Sequence, residues 1–179
     1  MSKNTRKNRS MGSIDGPYDV SYRLFVRDFI EDIEFSRPFA VTLTMNSVQW
    51  RSHSQNFRHF MNRLNQSFLK SGYRRYGKRL TVVPIIEGTR DVRPHYHCII
   101  DNPFPERDRE FVETLKESWN KTLLGQSKVQ VEPMESNKWI SYITKLSSKS
   151  DIRESVDWEN ISLPPGGGGY LNRFQIYLL

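Results

Sequence analysis

Four segments of the sequence carry apolar residues at every third or fourth position, and four shorter segments have the features of strands. The helical spacing predicts helices in residues 20–33, 56–70, 108–124 and 137–148. The shorter segments, in most of which apolar and polar residues alternate, predict strands in residues 39–45, 80–87, 95–101 and 128–132. Gly125 is expected to end the third helix, and Ser136 to cap the fourth.

This order of elements predicts the fold class. An alternating strand has one apolar and one polar face, which is typical of antiparallel sheets with one covered and one open face. After the first helix, the order strand, helix, strand, strand, helix, strand is that of the ferredoxin-like plan. We therefore predict an α+β domain over residues 18–150, a ferredoxin-like antiparallel sheet with helices on one face and an open face that carries the chemistry. The residues expected on the open face are Thr42, Thr44, Glu87, His95 and His97.

The two ends of the chain differ in composition from this middle part. Residues 1–17 place lysines and arginines among serine, asparagine and glycine, which predicts a basic flexible arm because such a segment cannot form a core. Residues 151–179 are predicted to be a C-terminal extension in which Gly166–Gly169 forms a flexible connector. Residues 170–179 are apolar enough to form a last strand or to contact a partner.

The charge of the chain favours a polyanionic partner. There are 27 lysines and arginines against 20 acidic residues, a formal net charge of +7, and nucleic acid is the commonest partner of such proteins. Residues 41–86 contain no acidic residue, and Tyr73 and Tyr76 are interleaved with the most basic part, 74–79. Cations combined with aromatic rings that stack on bases indicate nucleic-acid binding. The alternative is an ordinary solvated basic surface.

Composition also excludes several classes of protein. The single cysteine, Cys98, excludes an internal disulfide framework and a cysteine-rich zinc module. No run approaches the ~18 apolar residues of a membrane span, and the charged N-terminus does not resemble a signal peptide. We expect an intracellular protein with no membrane partner.

The strand that contains His95 and His97 is the strongest candidate for chemistry. Side chains two apart on a strand project from the same face, with α-carbons about 6.6 Å apart, so both imidazoles can reach one divalent ion. If this strand forms a hairpin with the preceding one, Glu87 lies beside the histidines in an apolar neighbourhood, where a bare carboxylate is costly. A metal would neutralise it, and so would a salt bridge to Arg90 or Arg93. The alternative for the histidines is an ordinary position on a solvated strand.

The last predicted helix carries a tyrosine among lysines. Lys138, Tyr142, Lys145 and Lys149 follow one another at helical spacing, opposite the apolar stripe that contains Trp139. Nearby cations stabilise a phenolate and also bind phosphate. Taken alone, a tyrosine on an amphipathic helix is more often structural than catalytic.

In order, three motifs of this sequence resemble those of the HUH endonuclease superfamily, and in particular single-tyrosine replication initiators (Rep proteins). They are Phe39-Ala40-Val41-Thr42-Leu43-Thr44, His95-Tyr96-His97 and Tyr142-Ile143-Thr144-Lys145. The resemblance implies that His95 and His97 bind Mg or Mn, with Glu87 as the third ligand. It also implies that Tyr142 attacks a phosphodiester of single-stranded DNA and forms a 5′-phosphotyrosine, with Lys145 assisting at the phosphate or the metal. Thr42, Thr44, Arg93, Lys138 and Lys149 are the expected DNA-contacting residues.

The resemblance implies a partner and a place in the cell. The substrate would be single-stranded DNA at an origin or a terminal hairpin, in the cytoplasm of a prokaryotic host or the nucleus of a eukaryotic one. Leu146 replaces the second tyrosine of some initiators, and no phosphate-binding helicase loop is present, so the host is expected to supply helicase and polymerase. A transposase or relaxase using the same residues, a non-catalytic nucleic-acid-binding module and an unrelated zinc hydrolase are the alternatives.

Overall fold

Strands and helices alternate around one antiparallel sheet. The computed structural model describes residues 17–46, 53–88, 93–145 and 152–165. The strands are β1 (Pro38–Met45), β2 (Val82–Glu87), β3 (His95–Asp101) and β4 (Gly125–Pro133). The helices are α1 (Pro17–Glu31), α2 (His53–Leu69), α3 (Ser71–Tyr76), α4 (Asp108–Asn120), α5 (Lys138–Ile143) and α6 (Ile152–Ser155).

The strand pairing confirms the prediction of an α+β fold with an antiparallel sheet. The strand order is β2-β3-β1-β4, and every neighbouring pair is antiparallel. In the register of the sheet, Thr42 lies opposite His97. Two residues along, Thr44 lies opposite His95, which in turn lies opposite Glu87 of the β2–β3 hairpin. Facing residues of adjacent strands are neighbours, so the sheet itself gathers these side chains.

The first face of the sheet forms the larger core, under α2 and α4. Its strand residues include Phe39, Val41, Leu43, Met45, Tyr96, Cys98 and Ile100, and its helix residues include Phe57, Phe60, Leu64, Phe111, Leu115 and Trp119. Each fully buried apolar side chain of this size contributes about 1.5–3 kcal/mol relative to an exposed one. The helical stripes and strand alternation read from the sequence account for these contacts.

The second face is covered over β2 and β3 and open toward β1 and β4. Val83, Ile85 and Ile99 pack there against residues of α1 and α5. Ala40, Thr42 and Thr44 remain only half-buried in β1. The open face is therefore narrower than that of a wholly uncovered sheet, and α5 forms one wall of it.

The segment after α6 runs along the outer edge of β2. Val82 forms a bridge with Ser162, and Ile85 with Val156. The Asp157 amide donates to the Pro84 carbonyl at 3.1 Å. These bonds occupy an edge that would otherwise present unpaired backbone groups.

Helix α4 ends earlier than its apolar spacing predicts. It stops at Asn120, and the Thr122 amide and hydroxyl both bond to the Trp119 carbonyl, which closes a tight turn. The turn exposes Leu123, at 85%, and buries Leu124 instead. Gly125 fits because a β-carbon at this position would lie 2.1 Å from the Trp119 carbonyl oxygen.

Helix α5 is also shorter than predicted, ending at Ile143 rather than near residue 148. The buried Thr144 donates its hydroxyl to the Ile140 carbonyl at 2.8 Å, a local bond that competes with helical continuation. Asn137 occupies the N-cap without a side-chain cap hydrogen bond, so the predicted cap at Ser136 is wrong.

Other predictions concern residues outside the described ranges. These are the arm over residues 1–16, the glycine connector 166–169 and the apolar segment 170–179. The sequence pattern did not predict the short helices α3 and α6. Within the described ranges, no helix has the length and apolar character required to cross a bilayer.

Candidate active site

A cleft of about 490 Å³ opens on the second face of the sheet, beside α5. Strands β1, β3 and β4 form its floor. Its lining residues are Thr42, Thr44, Arg93, His95, His97, Lys128, Gln130, Trp139 and Tyr142. The cleft thus joins the histidine strand to the tyrosine helix, as the sequence predicted.

Three potential metal ligands converge at the β2–β3 hairpin. Ligand atoms of Glu87, His95 and His97 all lie within 4.8 Å of one another. The Nε2 atoms of the two histidines are 3.0 Å apart, and Oε2 of Glu87 is 3.2 Å from Nε2 of His97. Glu87 and His97 are buried, and His95 is half-buried. Strand alternation explains the pair of histidines, and the hairpin register explains the carboxylate.

The outer ring nitrogens hold both imidazoles in place. Nδ1 of His95 lies 2.9 Å from the Arg93 carbonyl oxygen, which only accepts, so we assign the proton of neutral His95 to this nitrogen. Its Nε2 then directs a lone pair toward His97. Nδ1 of His97 lies 3.1 Å from the Thr42 hydroxyl, which either donates or accepts. Both rings can therefore present Nε2 lone pairs inward, as metal-bound histidines with anchored outer nitrogens do.

This donor set fits a divalent cation. It offers two imidazole nitrogens and one carboxylate oxygen, and His95 borders the open cleft. Imidazoles suit transition metals and carboxylates suit Mg²⁺ and Mn²⁺. A dication held here would also offset the cost of burying the Glu87 carboxylate.

Tyr142 lies at the same site, on the same side of the sheet as the histidines. Its ring stacks on Trp139 at a centroid distance of 5.3 Å and a tilt of 18°. It meets His97 edge-on, also at 5.3 Å. With 43% of its surface exposed, Tyr142 remains accessible from the cleft.

Lys145 links the tyrosine to the buried carboxylate. Its Nζ lies 3.8 Å from the centroid of the Tyr142 ring and 3.6 Å from Oε1 of Glu87. The sequence offered Arg90 or Arg93 as an ion-pair partner of Glu87. Lys145 is an ion-pair partner that the sequence did not suggest, while Arg90 lies outside the described residues.

The remaining predicted site residues differ in position. Thr44 and Arg93 line the cleft, and so does Thr42, although its hydroxyl is bonded to His97. Lys138 is exposed at the start of α5, but does not line the cleft. Lys149 lies outside the described residues.

Sequence reasoning missed three cleft residues. Trp139 was assigned to the buried stripe, but it is half-buried, and its indole donates to the Cys98 carbonyl at 3.1 Å while its ring supports Tyr142. Lys128 and Gln130 come from β4. Their alternation with Val129 and Val131 already placed them on the polar face of that strand, which was the available signal.

Comparison with known proteins identifies the family. Residues 38–151 match a family model of the Replication-associated protein ORF2 type. The match covers more than half of the chain, from the start of β1 to beyond α5, and includes the histidines, Glu87 and Tyr142. Comparisons with curated proteins and with solved structures gave no significant match. This chain belongs to the Replication-associated protein ORF2 family.

Proposed function

We propose that this protein nicks and rejoins single-stranded DNA through a 5′-phosphotyrosine on Tyr142, as a single-tyrosine HUH initiator of rolling-circle replication. The family supports a role in replication and favours it over transposition or conjugation. The chemistry is proposed from the residues of the cleft.

One observation carries the proposal. A tyrosine with an exposed ring shares a cleft with a cluster of two histidines and a carboxylate, and its ring touches one of those histidines. A tyrosine that served only in packing would not be expected beside three convergent metal-ligating groups. A phosphodiester bound between the cluster and the phenol would contact both.

The cleavage step exchanges one ester for another. The Tyr142 oxygen forms a bond to phosphorus while the bond from phosphorus to the 3′ oxygen breaks; the phenol loses its proton, and the departing 3′ oxygen gains one. A divalent cation held by Glu87, His95 and His97 would polarise a non-bridging phosphate oxygen and offset charge in the transition state. Because the phosphotyrosine conserves the ester, a 3′ hydroxyl can later reverse the step and rejoin the strand.

The side chains around the phenol have separable roles in this proposal. Trp139 holds the Tyr142 ring by stacking, and Thr42 fixes the orientation of His97. The positive charge of Lys145 lies close enough to the ring to attract a phosphate bound at its hydroxyl. Arg93 and Lys128 line the cleft and supply further charge along the path of a strand.

The decisive experiment measures the covalent adduct. The full chain is incubated with a single-stranded oligonucleotide and MnCl₂, and its intact mass is determined. We expect a mass increase equal to the 5′-phosphorylated fragment in the wild-type protein, and none in Tyr142→Phe. Tyr18→Phe is the matched control, because Tyr18 is 86% exposed on α1 and lies outside the cleft. An adduct that persists in Tyr142→Phe would assign the nucleophile to another residue.

A second variant separates metal chemistry from DNA binding. His97→Ala should abolish metal-dependent cleavage but retain salt-sensitive DNA binding, because the cations of the protein are unchanged. Its circular dichroism spectrum and melting temperature serve as the control for folding. Wild-type protein that binds DNA but forms no adduct with any divalent metal would favour a non-catalytic binding module.

A further inference from the structure

Four exposed cations on and after α3 have no acidic neighbour in the described part of the chain. They are Arg74, Arg75, Lys78 and Arg79, which we call the α3 basic surface. No carboxylate of a described residue forms an ion pair with any of them. This part of the protein therefore carries concentrated positive charge.

Arginines elsewhere in the described residues are largely paired. Carboxylates lie within 3.0 Å of Arg27, Arg37, Arg58, Arg107 and Arg109. Most of these pairs are local contacts on a helix, which fix the arginine and neutralise it. The α3 basic surface is the exception, and it coincides with the part of the sequence that lacks acidic residues.

Local structure holds the four cations together. Gly77 adopts a left-handed conformation (φ 62°), and the Lys78 amide donates back to the Gly72 carbonyl at 3.1 Å, so the chain folds over the end of α3. Arg79 then lies 5.3 Å from the centroid of the Tyr73 ring and 3.4 Å from Oδ1 of Asn62. A cation fixed in this way loses less conformational freedom when it binds a phosphate.

The α3 basic surface is remote from the cleft. It precedes β2 at the end where Val82 pairs with Ile100, whereas Glu87 pairs with His95 at the other end. The five steps along the strand from Val82 to Glu87 span about 17 Å at ~3.3 Å per residue. Tyr73 of α3 is bonded to Asn62 of α2, which covers the first face, and the cleft opens on the second. DNA on this surface must therefore be a different segment from DNA in the cleft.

We propose that the α3 basic surface binds the phosphate backbone of duplex DNA that flanks the single strand held in the cleft. This proposal rests on the function proposed above. Single-strand sites combine cations with rings on which bases stack. Here Arg79 covers a face of Tyr73, so Tyr76 is the exposed ring of α3. Duplex backbone is instead bound by arginine and lysine without base stacking, and independently of sequence.

The test compares two DNAs and two variants of the full chain. One DNA is a single strand, and the other is the same strand extended by a hairpin stem. Arg74→Gln with Arg75→Gln removes two cations of the surface, while Arg27→Gln with Arg109→Gln removes two exposed cations elsewhere and is the charge-matched control. Affinity is measured against salt concentration, and the adduct on the single strand is measured separately.

We expect the Arg74/Arg75 variant to lose affinity only for the stem DNA. Each duplex phosphate contact contributes about −0.9 to the slope of log affinity against log salt, so two lost contacts should reduce the slope by about 1.8, or about twelvefold over a fourfold change in salt. The control should keep the wild-type slope, and both variants should form the adduct. Equal loss on both DNAs would overturn the duplex assignment, and equal behaviour of the two variants would overturn the surface itself. Failure of adduct formation alone would refute the proposed function instead.

Discussion

Replacing Tyr96 by phenylalanine should destabilise the protein by a magnitude that the structure specifies. Tyr96 lies between His95 and His97 on β3 but points to the opposite face, into the core. Its hydroxyl donates to Oδ2 of Asp157 at 2.8 Å. The same carboxylate accepts hydrogen bonds from Ser54 at 3.1 Å and Asn160 at 2.8 Å. The substitution removes one donor from a network that joins β3, α2 and the segment after α6.

A hydrogen bond to a charged group contributes about 1.5–3 kcal/mol. Phenylalanine keeps the ring, which packs against Phe57 at a centroid distance of 4.5 Å, so little packing is lost. We therefore expect Tyr96→Phe to lower the free energy of unfolding by about 1.5–3 kcal/mol. For a chain of this size the melting temperature should fall by about 3–12 °C, at roughly 2–4 °C per kcal/mol.

Urea denaturation measures this effect as a shift of the midpoint at constant slope. Asp157→Asn and the double variant complete a cycle, in which partners in contact should show a coupling energy of about 0.5–3 kcal/mol. Tyr18→Phe is the control, because it removes an exposed hydroxyl. A loss below about 0.5 kcal/mol, which is typical of surface positions, or strict additivity in the cycle would refute the reasoning.

Alkaline pH gives an independent measure of the same group. Burial, and then the neighbouring Asp157, raise the pKa of Tyr96 far above its usual value. The phenol stays protonated in the folded protein while the unfolded chain loses this proton above about pH 10, so stability is retained below that pH and lost as pH rises. Tyr96→Phe should make the decline less steep by about 1.4 kcal/mol per pH unit. An identical decline in the variant would contradict the burial argument.

Three further predictions concern the site and the turn that precedes β4. Mn²⁺ at 100 times its dissociation constant should stabilise the wild-type protein by about 2.7 kcal/mol in thermal denaturation but not His95→Ala, and equal shifts would place the ion elsewhere. Gly125→Ala should lower stability by about 1–3 kcal/mol in urea, because its β-carbon would meet the Trp119 carbonyl, and an unchanged midpoint would argue against that contact. Trp139→Ala should slow adduct formation more than it weakens DNA binding, whereas Trp139→Phe should largely restore the rate by stacking on Tyr142; equal defects in both variants would indicate a role other than stacking.

The face on which each strand residue lies was predictable from sequence because it depends only on backbone geometry. Successive side chains of any strand point to opposite faces, so His95 and His97 had to share one. The assumption of a β2–β3 hairpin then placed Glu87 beside them, and the register confirms that placement. The hydroxyls of Thr42 and Thr44 followed from the same rule, since β1 also alternates.

Helix ends and tertiary neighbours were less predictable, because they depend on bonds between side chains and distant backbone. Apolar spacing continued the helical pattern to Leu123, whereas the hydroxyl of Thr122 closes the turn. Thr144 ends α5 in a similar way, by bonding to Ile140. The ion pair between Lys145 and Glu87 joins residues 58 positions apart, and no local pattern encodes it.

The geometry of the site depends on core residues that carry no chemistry. A slip of one residue in β3 would turn Tyr96 toward the cleft and both histidines into the core. Burial of Tyr96 against Phe57 and its bond to Asp157 oppose that slip, so the same contacts that stabilise the core also hold the imidazoles toward Glu87. Asp157 lies beyond the family match, which ends at residue 151. The register of the histidine strand is therefore secured by a segment outside the matched span, as well as by the strand itself.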